Sequence, residues 1–166
     1  AERRVTFGSR PAAATHGVAM DALDFSDTTL TFLFSDIEGS TRLEQEVGTR
    51  AYADVRERHR VLLRAAFAAC GGEEQGTEGD SFFAVFRTAR GALTAAVAAQ
   101  RSVAAEPWPP GAEIRVRMGI HSGEARVAGG SLVGIDINRA ARIAGVAHGG
   151  HRLVSDTTRA LVHGEP

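Results

Sequence analysis

An apolar run that ends in an acid constrains this chain more than any other feature of its sequence. Residues 30–34 are leucine, threonine and phenylalanine, a composition that predicts a buried β-strand. Directly after the run come Asp36, Gly39, Ser40 and Thr41, which are typical of a turn into a helix. A carboxylate at the end of a strand, beside the backbone N–H groups of a helix start, suits a divalent metal ion that holds a polyphosphate. The alternative is that Asp36 and Ser40 simply cap the helix.

The length and composition of the chain limit the classes of protein to which it can belong. The chain has 166 residues, enough for one domain with a hydrophobic core. Apolar residues make up 43% and charged residues 23%, as in ordinary globular proteins. The net charge of −1 and the lack of a basic stripe argue against binding to nucleic acid. The single cysteine, Cys70, excludes an internal disulfide and a thiolate metal cluster and fits the reducing cytoplasm.

Two further features describe how the chain is organised. No apolar run approaches the roughly 20 residues of a membrane-spanning helix, so we expect no direct membrane insertion. Residues 1–27 mix arginine, glycine, proline and alanine without a hydrophobic period, and we interpret them as an N-terminal extension, part of it left by the expression vector. Residues 28–166 are predicted to form one folded domain.

Hydrophobic periods and turn signals predict a definite order of elements. They predict a strand at 30–34, helices at 42–48 and 52–70, a hairpin of strands at 73–78 and 81–86, a helix at 88–105, strands at 113–121 and 123–128, a helix at 136–147, a strand at 153–154 and a last helix at 155–162. Asp136 is expected to be an N-cap, as is the pair Ser155 and Asp156. This order predicts a ferredoxin-like α/β (α+β) sandwich, in which a mostly antiparallel central sheet is flanked by helices on one face.

Two acids from separate elements are candidate metal ligands. Asp36 ends the first strand, and Asp80 lies at or next to the tip of the predicted hairpin, 44 positions later. These elements are neighbours in the sheet of such a fold. Two carboxylates with few other protein ligands are how Mg²⁺ or Mn²⁺ is held when substrate phosphates supply the remaining oxygens. The alternative for Asp80 alone is a turn-forming aspartate.

A second candidate group lies on the predicted helix at 136–147. Asn138 and Arg142 are four residues apart and therefore share one helix face, whereas Arg139 points elsewhere. An amide and a fixed cation at one point suit a ribose-phosphate centre where negative charge shifts during reaction. The alternative is that Arg142 is a solvated surface group. His121 follows a strand and is interpreted as a structural or solvent-bonded residue rather than a nucleotide contact.

Four segments together resemble a known family. Residues 34–41, 79–86, 117–123 and 134–142 look like the signature blocks of class III adenylate and guanylate cyclase catalytic domains of the bacterial, actinobacterial kind, in family order and with similar spacing across residues 29–163. The resemblance implies an adenylate cyclase that converts ATP to 3′,5′-cyclic AMP and pyrophosphate. In this family the ribose 3′-hydroxyl attacks the α-phosphate, and two chains share each active site as a homodimer.

The resemblance also implies a role for individual residues. Two metal ions, Mg²⁺ or Mn²⁺, would lie on Asp36, Asp80 and the backbone carbonyl of Ile37. Asn138 would orient the ribose and Arg142 would stabilise the transition state, both from the partner chain. Independently of the resemblance, the geometry of the helix start predicts that Gly39, Ser40 and Thr41 contact the substrate phosphates.

The chain departs from the family pattern where the base and the phosphate tail are bound. Gly76 and Ser131 stand at the base-selecting positions and match neither the adenylate nor the guanylate set, so GTP remains an alternative substrate. All 19 basic residues are arginine, so the lysine that normally holds the polyphosphate is missing. The sequence also stops where the family's terminal hairpin should begin, so we expect either a chain that is trimmed there or a naturally short domain. These departures predict weak catalysis, or a degenerate domain that binds nucleotide or dimerises in a regulatory role.

Overall fold

A five-stranded sheet forms the centre of the structure. The computed structural model describes residues 28–163, and the extension predicted at 1–27 lies outside the described residues. The elements are β1 (Leu30–Ile37), α1 (Ser40–Val47), α2 (Thr49–Ala69), β2 (Glu73–Glu78), β3 (Ser81–Phe86), α3 (Ala89–Ala105), β4 (Val116–Gly123), β5 (Arg126–Ala128), β6 (Ser131–Val133), α4 (Ile135–Val146), β7 (Arg152–Val154) and α5 (Asp156–His163). None of the helices in this part of the chain is long and apolar enough to cross a membrane.

The order of the strands confirms the predicted ferredoxin-like sandwich. The sheet order is β2-β3-β1-β4-β7, in which β1 pairs antiparallel with both β3 and β4. Strand β7 extends the sheet by pairing parallel to β4. Strands β5 and β6 form a separate two-stranded hairpin. The sequence analysis missed β6, because a three-residue strand between glycines is too short to show a period.

The sheet is covered on both faces, so the expectation of helices on one face is wrong. Leu33 and Ile37 of β1 belong to a core cluster shared with α2 and α3, whereas Phe32 and Phe34 belong to a second cluster shared with α4. Successive strand residues point to opposite faces. A strand that is apolar at every position therefore needs cover on both sides, and α4 supplies it.

Two of the predicted helix caps are not observed at the N-termini of the helices. Helix α1 follows Gly39, whose φ of 66° is left-handed, and no side chain caps it, so neither Asp36 nor Ser40 is a cap. Helix α4 follows Gly134, again without a side-chain cap, so the prediction that Asp136 is the N-cap is wrong. At α5 the prediction is confirmed for Ser155, whose hydroxyl accepts the Thr158 N–H at 3.3 Å.

Candidate active site

Asp36 lies near the end of β1 in a bidentate ion pair. It is opposite Arg117 in the β1–β4 register. The Arg117 Nε donates to Asp36 Oδ1 at 2.5 Å and the terminal nitrogen Nη2 donates to Oδ2 at 3.0 Å. The Asp36 side chain is 29% exposed. A carboxylate has about four lone-pair sites, so about two remain for a cation from solvent.

Asp80 is held against the residue that follows Asp36. It lies in the turn between β2 and β3, and its Oδ2 accepts the backbone N–H of Ile37 at 2.8 Å. Burial raises the pKa of Asp80 and the charge of Asp36 adds to the rise, while the Ile37 N–H opposes it. The hairpin turn thus brings the second predicted acid to the first, as the sequence analysis expected from neighbouring elements.

The start of α1 adjoins this pair of acids. The first backbone bond of the helix runs from the Leu43 N–H to the Gly39 carbonyl, so the N–H groups before Leu43 have no partner within the helix. Ser40 interacts with Asp80 and with the hydroxyl of Tyr52, which is buried on α2. Burial raises the pKa of Tyr52, and the charge of Asp80 raises it further. Thr41 is exposed in the same first turn.

This donor set fits a hard divalent cation. Asp36 and Asp80 offer carboxylate oxygens at the end of one strand, with the Ile37 backbone beside them. Two carboxylates close together repel each other, and a cation between them removes that repulsion. Oxygen ligands of this kind suit Mg²⁺ or Mn²⁺ with water or phosphate oxygens completing the shell.

The two base-selecting positions lie on different elements. Gly76 is half-buried on β2, opposite Phe83, directly after a β-bulge at Gln75. Phe83 belongs to the core cluster on the α4 side, so Gly76 is on that face of the sheet. Ser131 is exposed at the start of β6. The described residues show no contact that brings Gly76 and Ser131 together.

Asn138 and Arg142 do not join the acids within this chain. Both are exposed on α4, and neither side chain forms a hydrogen bond or ion pair among residues 28–163. Arg139, which the sequence analysis expected to point elsewhere, donates to Asp136 at 2.7 Å. The chain therefore presents two separate halves: an acidic half around Asp36 and an amide-and-cation half on α4.

Sequence reasoning missed two residues of the acidic half. Arg117 alternates with apolar residues along β4, but the sequence does not reveal the register that places it opposite Asp36. Tyr52 fits the apolar period of α2 and reads as a core residue. Its interaction with Ser40 depends on the angle between α1 and α2, for which the sequence carries no signal.

Comparison with known proteins identifies a family. A model of the adenylate and guanylate cyclase catalytic domain matches residues 25–165. An uncharacterised protein of Mycobacterium tuberculosis is 37% identical over 137 residues, which cover 82% of this chain and 46% of that protein. The adenylate cyclase of Mycosarcoma maydis is 33% identical over 149 residues, which cover 74% of this chain and 6% of that enzyme. The chain thus spans about half the length of the mycobacterial relative and a small part of the fungal one.

A solved structure shares the fold. The guanylate cyclase domain from Catenaria anguillulae, crystallised in complex with GTP, superimposes with a TM-score of 0.74 at 24% identity. The matched region covers 82% of this chain and 83% of that domain.

Proposed function

Because this chain belongs to the family of adenylate and guanylate cyclase catalytic domains, we propose that it converts ATP to 3′,5′-cyclic AMP and pyrophosphate, slowly, as a homodimer with shared active sites. One observation carries the proposal. The Asp80 carboxylate accepts the Ile37 N–H, which brings the two acids together at the end of β1. The outward-facing Asn138 and Arg142 supply the groups that this half lacks.

Each half has a distinct part in the reaction. Asp36, Asp80 and the Ile37 carbonyl would hold Mg²⁺ or Mn²⁺, which lowers the pKa of the attacking hydroxyl and neutralises phosphate charge when bound. The first turn of α1, at Gly39, Ser40 and Thr41, directs backbone N–H groups to the phosphates.

The other half acts on the sugar and the reacting phosphorus. Asn138 orients the ribose so that its 3′-hydroxyl lies in line with the α-phosphate. Arg142 stabilises the negative charge that develops there. In this proposal Asn138 and Arg142 come from a second chain, which agrees with their exposure and with their lack of polar partners among the described residues.

The surface around Asn138 and Arg142 supports the homodimer. Ile135 and Val146 are 67% and 71% exposed and flank the two polar residues on α4 at helical spacing. Exposed apolar side chains in a row with unpaired polar groups are typical of a surface that another protein covers. A second copy that placed Asn138 and Arg142 at its partner's acids would satisfy both.

Two observations favour functions other than adenylate cyclase activity. Gly76 lacks a side chain to read the base, and the Catenaria domain with this fold was crystallised with GTP, so guanylate cyclase activity is the second candidate. The absence of lysine favours the third, a domain that binds nucleotide or dimerises in a regulatory role with little turnover.

Turnover assays of matched variants test the proposal. Purified wild type incubated with Mn²⁺ and ATP is expected to form cyclic AMP, and Asp36→Ala is expected to reduce the rate about 100-fold or more. Asp54→Ala removes an exposed acid of α2 and is expected to keep wild-type activity.

The outcomes separate the three candidates. Cyclic GMP formed from GTP faster than cyclic AMP from ATP would favour the second. Calorimetry that shows metal-dependent ATP binding without product would favour the third. Equal activity of wild type and Asp36→Ala would contradict an enzymatic role for the two acids.

A further inference from the structure

Strand β4 carries three alternate residues on the face that α4 covers: Gly119, His121 and Gly123. A Cβ added at Gly119 would collide with the backbone of Ala144, and one at Gly123 would collide with the carboxylate of Asp136. Both glycines therefore let α4 lie directly on the strand. His121 lies between these two close approaches.

His121 links three elements through its two ring nitrogens. Its side chain is 8% exposed. The ring nitrogen Nε2 lies 3.2 Å from Asp136 Oδ1 on α4. The other nitrogen, Nδ1, lies 2.7 Å from the hydroxyl of Ser155, which follows β7. A buried imidazole with both nitrogens bonded has a fixed ring orientation.

Asp136 is an ionised acceptor at the first turn of α4. It also accepts the Glu124 N–H at 3.0 Å and Arg139 at 2.7 Å. Burial raises the pKa of Asp136, but the hydrogen bonds from Glu124, His121 and Arg139 outweigh it and lower the pKa overall. An ionised carboxylate accepts and never donates, so Nε2 of His121 must carry a proton.

A chain of hydroxyl groups is compatible with this assignment. The oxygens lie 2.8 to 3.1 Å apart in the order Thr31, Ser122, Thr158 and Ser155. Each hydroxyl has one proton to donate. If each donates to the next, Ser155 donates to Nδ1 of His121, and every group from β1 to Asp136 is satisfied. The chain thus joins the strand of Asp36 to the helix of Asn138.

The position of α4 decides where the amide-and-cation half points. Asn138 and Arg142 follow Asp136 by two and six residues, and their side chains have no polar partner in the described residues to hold them. Arg139 is held by Asp136 instead. We propose that His121 and Asp136 form a clamp between β4 and α4 that positions Asn138 and Arg142 for catalysis. This inference rests on the function proposed above.

Two substitutions of His121 distinguish a role in positioning α4 from a role in packing alone. Glutamine keeps an amide N–H near the position of Nε2, whereas asparagine is too short to reach Asp136. For His121→Asn we expect kcat to fall about 10- to 100-fold, with the KM for Mn²⁺–ATP changed less than about threefold, because Asn138 and Arg142 act mainly in the transition state. For His121→Gln we expect kcat within about threefold of wild type.

Further variants and the melting temperature complete the kinetic test. Asp136→Ala should lower kcat at least as much as His121→Asn, because it also removes the bonds from Glu124 and Arg139. The double variant should lose little more than Asp136→Ala alone, because both substitutions remove the link between His121 and Asp136. Loss of kcat in His121→Gln and His121→Asn alike, in proportion to a lowered melting temperature, would overturn the proposal. Unchanged kcat in His121→Asn would also overturn it.

Nitrogen-15 NMR tests the clamp without turnover. We expect a proton on Nε2 of His121, with Asp136→Ala shifting the Nε2 signal and Ser155→Ala the Nδ1 signal. An Nε2 that carries no proton would overturn the proposal. If the wild type turns over neither ATP nor GTP, the proposed function fails, and the NMR spectrum still shows whether the clamp exists.

Discussion

His59 is a histidine that the fold buries completely. It is 0% exposed on the inner face of α2, and neither ring nitrogen has a hydrogen-bond partner in the described part of the chain. Its ring lies edge-on to Phe82, with the centroids 5.7 Å apart. Burial, together with the charge of Arg60, lowers the pKa of His59 to about 4. The side chain is therefore neutral in the folded protein and acts as part of the core.

The buried His59 makes the stability of the fold depend on pH. Between its ordinary pKa of 6.5 and its folded pKa of about 4, the unfolded chain binds a proton at His59 that the folded chain does not. The free energy of unfolding therefore falls as the pH drops through this window, by about 3 kcal/mol from this group alone. His59→Leu is expected to remove that dependence and, at pH 7, to add on the order of 1 kcal/mol by deleting two unsatisfied nitrogens.

Urea denaturation at several pH values between 4 and 7 measures the effect. His163→Gln replaces an exposed histidine of α5 and serves as the control. Its free energy of unfolding should change with pH about as much as that of wild type. If the free energy of unfolding of His59→Leu changes with pH as much as that of wild type, His59 is protonated in the folded state or bonded to internal water.

At the scale of elements, the close packing of α4 on β4 depends on Gly119. A Cβ at this position would collide with the backbone of Ala144, which cannot move without the helix. Gly119→Ala is therefore expected to lower the free energy of unfolding by about 1 to 3 kcal/mol, the usual cost of overpacking. The same shift of α4 should displace Arg142 and lower kcat.

A second glycine provides the matched control. Gly145 lies on α4, and a Cβ there meets nothing within 4 Å. Gly145→Ala should leave the monomer as stable as wild type or up to about 1 kcal/mol more stable, because alanine favours a helix. Urea denaturation of both variants decides the point. Equal stability of Gly119→Ala and wild type would mean that α4 does not rest directly on the strand.

The elements also show what the sequence could and could not predict. Local period and turn chemistry predicted β1, α2, the β2–β3 hairpin and α3, because these signals are contained within each segment. The strand predicted at 113–121 is observed at Val116–Gly123, because Ile114 is buried as the pattern requires but the pairing with β1 begins only at Val116, opposite Ile37. The cap predicted for Asp136 failed because its carboxylate bonds to His121 on strand β4.

Long-range pairing explains which features of the candidate site the sequence could not predict. The convergence of Asp36 and Asp80 followed from the topology of a ferredoxin-like sheet, which the order of elements predicts. The pairing of Arg117 with Asp36 needs the β1–β4 register, and no local signal sets it. The roles of Asn138, Arg142, Gly76 and Ser131, and the metal ions, stay predictions from the family resemblance.

At the scale of the whole molecule, the two halves of the site belong to different parts of one chain. The acids lie at the end of β1 and in the β2–β3 turn, while Asn138 and Arg142 lie on the exposed face of α4. In a symmetric dimer each site would combine the acids of one chain with the α4 residues of its partner. A variant damaged in one half can then be rescued by a variant damaged in the other.

Co-expression of two inactive variants tests the shared site. Asp36→Ala and Arg142→Ala are each expected to be nearly inactive. Random pairing in equal amounts makes about half of the dimers mixed, each with one intact site of two, so the mixture should recover about a quarter of wild-type activity. Asp36→Ala co-expressed with Asp80→Ala is the control and should recover nothing, because both damage the same half and no intact site forms. Failure of the first pair to recover activity, with both variants folded and associated, would contradict a site shared between Asp36 of one chain and Arg142 of its partner.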